Sequence, residues 1–260
     1  MIGVQILAYK QEEYLSYCIR ALYPYVDLIQ VMFSTVPFTA YNPTSRHEFS
    51  SIDRTEEILR SFPDTKSKLD IAKGVWNDEE SMRQEALDRL SKRGCHLCLI
   101  IDADEFWPDD MLHTLITYID SHISVGQVAW ASQRHLFKRF DRMVDCPSAK
   151  LPVAIHCHRD IHFIDRRVPS GERILLPSLF FFWHLGYVLG NQRMLEKIRT
   201  FSHAAKVPES WYEEKWLAFT PETTNLCRSH PARWPRTVQI DPWELPQILL
   251  MHPFFPNGAC

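Results

Sequence analysis

The sequence has no long uninterrupted hydrophobic run. Its longest apolar stretch, residues 175–183, is interrupted by Pro177 and reaches only about half the length of a membrane-spanning helix. The apolar start of the chain lacks the basic residues and the length of a signal peptide. We therefore expect no transmembrane segment and a cytoplasmic protein, associated with a membrane peripherally if at all.

An excess of positive charge is also missing. The formal net charge is −3, so no overall basic field attracts nucleic acid, and we expect no nucleic-acid partner. Seven cysteines, an odd count, favour reduced thiols over a disulfide framework. Cys95-His96-Leu97-Cys98 has the spacing of half a zinc site, but no second Cys-x-x-Cys follows and only His156-Cys157-His158 would complete it. We do not expect structural zinc.

The hydrophobic pattern predicts alternating strands and helices. The chain of 260 residues, 45% of them hydrophobic, is long enough for one α/β domain. Residues 221–260 hold seven of the 17 prolines together with several aromatic residues, which predicts an extended C-terminal arm packed on that domain. The predicted strands are residues 2–9, 28–33, 71–75, 97–101, 125–131 and 151–155, and the predicted helices are residues 11–23, 51–60, 77–93, 109–119, 192–201 and 209–218.

One strand runs directly into a group of carboxylates. The apolar residues 97–101 are followed by Asp102, Ala103, Asp104 and Glu105. Ligands of open α/β sheets bind at the carboxyl ends of the strands. Two aspartates separated by one small residue suit a hard divalent cation that keeps open positions for substrate phosphate. The pattern therefore predicts a metal-assisted site for a phosphorylated substrate, although short Asp-x-Asp matches also arise by chance.

Four segments in this order resemble the GT-A glycosyltransferases, in particular the family-two type. Residues 4–12 resemble the opening strand and its Ala-Tyr-Asn-Glu-Glu turn, and residues 51–55 resemble a Ser-Thr-Asp-Gly-Thr turn. Residues 82–87 are similar to an Ala-Arg-Asn-x-x-Leu helix, and Asp-Ala-Asp-Glu-Phe at 102–106 is similar to the metal motif of one branch. Weaker matches follow at residues 183–187 and 194–198.

The chain also departs from this pattern. Lys10 stands where Asn is usual, and Gln84 replaces another Asn. The second strand ends in Phe33-Ser34-Thr35 without the customary Asp, and a long loop at residues 34–51 is inserted after it. His156-Cys157 stands where His-Glu is frequent. Recognition of the base and the identity of the catalytic base are therefore the least defined parts of the site.

The resemblance implies a GT-A, Rossmann-like mixed sheet flanked by helices in residues 1–220. It divides into a nucleotide-binding half (about 1–107) and an acceptor-side half (about 108–220). Asp104 would bind Mn²⁺ or Mg²⁺ directly, Asp102 would reach the metal through water or contact the ribose, and His184 would be a further metal or diphosphate contact. The implied donor-binding residues are Ala8, Tyr9, Asp53, Arg83 and Asp102, and the candidate catalytic carboxylates are Glu105, which orients the aspartates, and Asp160, as general base.

The expected activity is metal-dependent transfer of a sugar from a nucleotide-sugar donor to a glycan, lipid-linked or protein acceptor, with inversion. One alternative is a nucleotidyltransferase on a related sheet, but residues 9–12 lack the glycine-rich loop that holds a triphosphate. The other alternative is a catalytically degenerate domain that binds a partner through its aromatic C-terminal arm. Loss of metal-dependent nucleotide binding would favour this last interpretation.

Overall fold

The computed structural model describes residues 1–38, 53–146, 149–201, 204–227 and 234–255. The first elements of the chain are β1 (Ile2–Ala8), α1 (Leu15–Leu22), β2 (Leu28–Ser34), α2 (Thr55–Ser61), β3 (Leu69–Gly74), α3 (Glu79–Lys92) and β4 (Leu97–Ile100). Their four strands form a parallel sheet in the order β3-β2-β1-β4. Strands β2 and β4 are buried along their whole length, as strands covered on both faces require.

The second part of the chain extends the same sheet with mostly antiparallel strands. Strand β8 lies antiparallel between β4 and β6, and β7 and β13 continue beyond β6. The elements are β5 (Glu105–Phe106), α4 (Met111–His122), β6 (Gln127–Phe137), β7 (Arg139–Val144), β8 (Ala149–His156), β9 (Phe163–Asp165), β10 (Val168–Pro169), β11 (Glu172–Leu175), β12 (Phe181–His184), α5 (Asn191–Thr200) and β13 (Thr237–Gln239). The expected fold class, an α/β protein with a mixed sheet flanked by helices, is confirmed.

Local signals explain the boundaries of helix α3. The Asp78 side chain accepts a hydrogen bond from the Ser81 backbone N–H at 2.8 Å, which satisfies one of the unpaired donors at the helix start. Beyond the last turn, Gly94 takes a φ of +83°, a left-handed conformation that glycine adopts without steric cost. Met82, Ala86, Leu87 and Leu90 face the core, as predicted from their spacing.

The structure differs from the sequence-based prediction mainly after residue 120. The predicted strand 125–131 continues to Phe137, and the apolar stretch 175–183 holds the start of β12. The helix predicted for residues 209–218 is a π-helical segment, Tyr212–Leu217. The predicted loop 34–51 and the start of the 51–55 turn fall largely on residues 39–52, outside the described residues.

The C-terminal residues 234–255 lie against the domain. Strand β13 pairs with β7, and Leu245 and Leu249 are buried in the main hydrophobic core. The rest of this segment forms the short 3₁₀ turns Pro242–Glu244 and Gln247–Met251. None of the helices within the described residues is long and apolar enough to cross a membrane.

Candidate active site

A cleft of about 370 Å³ opens at the carboxyl ends of β1, β2 and β4. This is the sheet edge where ligands of α/β proteins bind. The first turns of α3, the end of β12 and one face of α5 complete its walls. Most of the predicted site residues meet here: Ala8, Tyr9, Arg83, Asp102, Asp104 and His184 all line the cleft.

Two guanidinium groups hold Asp102. Its Oδ1 accepts a hydrogen bond from Arg83 Nη2 at 2.7 Å, and its Oδ2 accepts one from Arg167 Nη1 at 3.0 Å. Burial alone would raise the pKa of Asp102, but Arg83 and Arg167 outweigh it and hold the pKa well below its usual range. Asp102 is therefore ionised and fixed in orientation, while about a third of its side chain (32%) remains exposed.

Asp104 is more deeply buried and faces different partners. Its Oδ2 lies 3.0 Å from Lys197 Nζ, and its Oδ1 lies 3.8 Å from His184 Nε2. The Asp104 carbonyl accepts a hydrogen bond from the Leu185 backbone N–H at 2.8 Å. Burial opposes ionisation of Asp104, but the positive charge of Lys197, which also donates a hydrogen bond to this carboxylate, dominates, so the pKa of Asp104 is lowered. Two distant segments, β12 and α5, thus converge on this carboxylate.

His184 is held in the neutral form. Burial lowers its pKa to about 4, although Asp104 opposes this. Its Nδ1 lies 2.9 Å from Nδ1 of His135, so that neighbour fixes the ring orientation. At 3.8 Å the contact from Nε2 to Asp104 Oδ1 is too long for a hydrogen bond. A neutral imidazole with a free nitrogen directed into a cleft is the form that binds a metal.

Gly186 keeps the space beside these groups open. A Cβ atom at this position would lie 2.7 Å from His184 Nε2 and 2.7 Å from Lys197 Nζ. Ordinary Cβ contacts begin near 3.4 Å, so any larger residue would displace both side chains. The absence of a side chain at Gly186 therefore lets His184 and the end of Lys197 keep their present positions.

The donor set fits a divalent cation that takes few protein ligands. Asp104 Oδ1 and His184 Nε2 face each other in the cleft, and both Asp102 oxygens already have guanidinium partners. Within the described ranges no three His, Cys, Asp or Glu side chains are grouped as a metal site. Mg²⁺ and comparable ions commonly use one or two protein ligands and complete their coordination with water and substrate phosphates. The carboxylate oxygen also suits Mn²⁺, whereas the imidazole nitrogen is the ligand type of Zn²⁺ and the later transition metals.

Glu105 supports the turn from behind and does not line the cleft. Its Oε2 accepts a hydrogen bond from the Asp102 backbone N–H at 3.0 Å, and its Oε1 lies 2.5 Å from Arg167 Nη1. Gln133 Nε2 donates to the same Oε1 at 3.3 Å. Glu105 thus contacts both the backbone of Asp102 and Arg167, one of the two arginines that hold the Asp102 side chain.

The first turn after β1 contains Lys10 at the position where the sequences it resembles usually have Asn, and an ion pair holds this lysine in place. Lys10 has a φ of +51°, a conformation that Asn tolerates better than Lys. Its Nζ is buried and lies 3.0 Å from Glu196 Oε2 on α5. The neighbouring Tyr9 lines the cleft, and burial raises its pKa to about 12, so its hydroxyl is a neutral donor.

The structure places two predicted residues away from the cleft. Asp53 accepts hydrogen bonds from the Thr55 N–H at 3.1 Å, the Thr55 hydroxyl at 2.7 Å and the Glu12 N–H at 3.3 Å, so it organises the start of α2. Asp160 is 74% exposed, lies 3.4 Å from His158 Nδ1, and does not line the cleft. Roles for Asp53 in donor binding and for Asp160 as base stay predictions from the sequence.

Several cleft residues were not predicted from the sequence. Lys197 lies within a matched segment, but nothing in the pattern distinguishes it from neighbouring charges. Arg167, which does not line the cleft but holds Asp102, is not predicted either, because its partners Asp102 and Glu105 lie 65 and 62 residues away along the chain. Tertiary pairing over such separations leaves no spacing signal. The other unpredicted lining residues include His135, Arg193 and Trp234.

The described fold is similar to several solved structures, with low TM-scores and low sequence identity. The structure of S. aureus TarS gives a TM-score of 0.46 and 14% identity, over 83% of this chain and 42% of that one. The structure of TarS 1-349 in complex with UDP-GlcNAc gives 0.46 and 13% identity, over 83% of this chain and 71% of that one. HddC from Yersinia pseudotuberculosis gives 0.39 and 12% identity, over 71% and 93%.

The chain thus spans less than half the length of full TarS. No protein-family model matches the chain. No curated protein matches it either. At these TM-scores and identities the similarities do not assign an activity, and the geometry of the cleft carries the functional argument.

Proposed function

We propose that the protein is a metal-dependent glycosyltransferase of the GT-A type that uses a nucleotide-sugar donor. The observation that carries this proposal is the convergence of Asp104 Oδ1 and His184 Nε2 at 3.8 Å in a cleft at the carboxyl edge of the sheet. An ionised carboxylate and a neutral imidazole facing each other suit a divalent cation. The cleft retains room for a nucleotide beside them, because the ends of β1 and β2 also line it.

The residues of the cleft divide the work on the donor. Asp104 and His184 would hold Mn²⁺ or Mg²⁺. When bound, that cation neutralises the charge that builds on the departing diphosphate. His135 fixes the His184 ring through the 2.9 Å contact between their Nδ1 atoms, a supporting contact of the kind that tunes metal ligands.

Asp102 has a separate task in this proposal. Arg83 and Arg167 occupy one direction at each of its oxygens, and each carboxylate oxygen has a further lone pair. Asp102 lines the cleft with about a third of its side chain exposed, so it would accept hydrogen bonds from ribose hydroxyls or reach the metal through water. Ala8 and Tyr9 would flank the nucleoside on the β1 side, and Arg83, which holds Asp102, lines the same cleft.

The acceptor side is less constrained. Among the described residues the carboxylates that line the cleft are Glu79, Asp102 and Asp104, and each contacts a cation. Inversion with Asp160 as base is therefore carried by the family resemblance alone. A glycan, a lipid-linked glycan and a protein are all retained as acceptors.

Nucleotide binding is the direct test. UDP, GDP, CDP and dTDP are titrated with and without Mn²⁺ while the melting temperature is followed, because a ligand of the folded state stabilises by mass action. We expect one diphosphate to stabilise the wild type in a metal-dependent manner, and Asp104→Asn to lose that dependence. Asp110→Asn is the matched control: Asp110 is exposed, lies outside the cleft and has a left-handed φ of +63° that Asn accepts.

Three outcomes separate the alternatives. Metal-dependent stabilisation by one diphosphate, followed by hydrolysis of the matching nucleotide-sugar, supports the transferase. Release of pyrophosphate from a nucleoside triphosphate and a sugar phosphate would instead indicate the nucleotidyltransferase. If no nucleotide shifts the melting temperature of wild-type protein under any condition, the proposed function is wrong.

A further inference from the structure

Helix α5 brings two cations into the cleft from one of its faces. Arg193 and Lys197 are four residues apart and both line the cleft. Residues with this spacing lie about 5–6 Å apart on neighbouring helical turns. The exposed Arg199 on the same helix does not line the cleft. The cationic side chains of α5 are thus divided between the cleft and the outer surface.

Two buried nitrogen atoms of Arg193 have no hydrogen-bond acceptor among the described residues. Its Nη2 donates to the carbonyl oxygen of Lys10. Its Nε lies 3.5 Å from Glu13 Oε1, but Nε and Nη1 are buried and have no hydrogen-bond partner in the part of the chain described. Leaving a buried donor unsatisfied costs about 1–3 kcal/mol. Because Arg193 lines the cleft, a small shift of its guanidinium would let an acceptor bound there remove this cost.

Lys197 reaches the same region from the next turn. Its Nζ lies 3.0 Å from Asp104 Oδ2 and uses one of its three donor directions there. The missing side chain of Gly186 leaves space directly beside Nζ, since a Cβ atom would lie 2.7 Å from it. The two remaining donor directions of Lys197 are therefore not blocked from that side.

We propose that Arg193 and Lys197 form a cationic clamp that binds the diphosphate of the donor, in addition to the metal. Phosphate oxygens match both partners, because a guanidinium binds phosphate with a planar fork of donors and an ammonium binds it as a compact charge. Two cations one helical turn apart suit two neighbouring phosphoryl groups. This inference rests on the proposed function.

The clamp has a defined task in the transfer. The bond between the anomeric carbon and the terminal phosphate oxygen breaks, and its electron pair stays on that oxygen. The acceptor hydroxyl oxygen bonds to the anomeric carbon, and its proton passes to solvent. The negative charge of the diphosphate rises by one, so fixed cations stabilise the departing group more strongly than the bound donor.

The test measures anion binding without activity. Inorganic pyrophosphate is titrated by calorimetry in the presence of EDTA into wild type, Arg193→Gln, Lys197→Gln and the matched control Arg199→Gln. We expect each clamp variant to bind pyrophosphate about 10- to 100-fold more weakly, as loss of one charge-assisted hydrogen bond predicts. Arg199→Gln should bind it like wild type.

A second set of titrations separates this clamp from a purely structural role. Binding of the free nucleosides uridine, guanosine, cytidine and thymidine should be the same in all variants, while the added affinity of the corresponding diphosphate should fall in the clamp variants only. Lys197→Arg keeps the charge beside Asp104 and should restore most pyrophosphate affinity. It also covers the case in which Lys197→Gln does not fold, as does Arg193→Gln on its own.

The outcomes distinguish the clamp from the proposed function. If wild type does not bind pyrophosphate, or if the clamp variants bind it as wild type does, the clamp is wrong, whatever the nucleotides do. If pyrophosphate binding depends on Arg193 and Lys197 but no nucleoside diphosphate binds better than pyrophosphate, the clamp stands as an anion site and the glycosyltransferase proposal fails.

Discussion

Replacing Gly186 by Ala tests the geometry of the cleft with a single methyl group. The new Cβ would lie 2.6 Å from His184 Cε1, 2.7 Å from His184 Nε2 and 2.7 Å from Lys197 Nζ. To reach an ordinary contact of 3.4 Å, each group must move by about 0.7 Å. The backbone of Gly186 has no left-handed φ, so the substitution adds no backbone strain, and its effect is steric.

The expected magnitude follows from this displacement. A misplacement of about 1 Å at a reacting site costs on the order of 100-fold in rate. We therefore expect Gly186→Ala to lower kcat/KM for sugar transfer by about 100-fold, and to weaken Mn²⁺ binding measured by calorimetry. Because His184 and Lys197 move into an open cleft, the free energy of unfolding should change by less than about 1.5 kcal/mol.

Gly94→Ala is the complementary control. Gly94 has a φ of +83° and nothing within 4 Å of the added Cβ, so alanine strains the backbone by about 1–2 kcal/mol without touching the cleft. It should lower stability and leave Mn²⁺ affinity unchanged. A Gly186→Ala protein with wild-type Mn²⁺ affinity and rate would refute the argument that this glycine holds the metal side of the cleft open.

Three further outcomes are expected. Asp102→Ala leaves the buried guanidiniums of Arg83 and Arg167 without their shared acceptor. Urea unfolding should show that the free energy of unfolding falls by about 3 kcal/mol, which is the lower end for a broken buried pair because Asp102 is partly exposed. A fall below about 1 kcal/mol would contradict this. Asp53→Ala removes three hydrogen bonds at the start of α2 and should cost about 1–2 kcal/mol with unchanged nucleotide affinity, whereas weaker nucleotide binding would restore its predicted role in the donor site. Burial lowers the pKa of His252, so the unfolded chain takes up a proton more readily than the folded one. The free energy of unfolding should therefore fall as the pH drops below about 6.5. In His252→Gln, urea unfolding should show a smaller fall over the same pH range, and an equal fall would exclude this residue as the cause.

In the described part of the first hundred residues the elements follow local rules, and the sequence predicts their type and order. The strand ending at Ile100 is an uninterrupted apolar run, and the helix from Glu79 to Lys92 has apolar residues at helical spacing and a glycine just after its end. Their order alone places Asp102 and Asp104 at the carboxyl edge of the sheet. No tertiary information is needed for that step, because parallel strands joined by helices leave only one edge for a site.

The rest of the site depends on contacts between distant segments. Arg167 contacts Glu105, which lies 62 residues earlier in the chain, and Lys197 contacts Asp104, which lies 93 residues earlier. The sequence around each of these two cations resembles that of other charged surface residues. The polar segment around Asp160 is consistent with a general base, but an acid beside a histidine and an arginine is equally stable on the surface. Composition near a residue does not show which side of the sheet it reaches.

The position of Arg167 in the chain determines when, during synthesis, residues 102–105 can take their final arrangement. Its side chain donates to the carbonyls of Ile100 and Pro152 and also pairs with Asp102 and Glu105. A ribosome that has released only residues 1–107 has exposed the complete Asp-Ala-Asp motif without the arginine that fixes it. The turn at residues 102–105 therefore reaches its final arrangement only after Arg167 has left the exit tunnel, and residues 1–107 expressed alone would lack the four contacts that Arg167 makes.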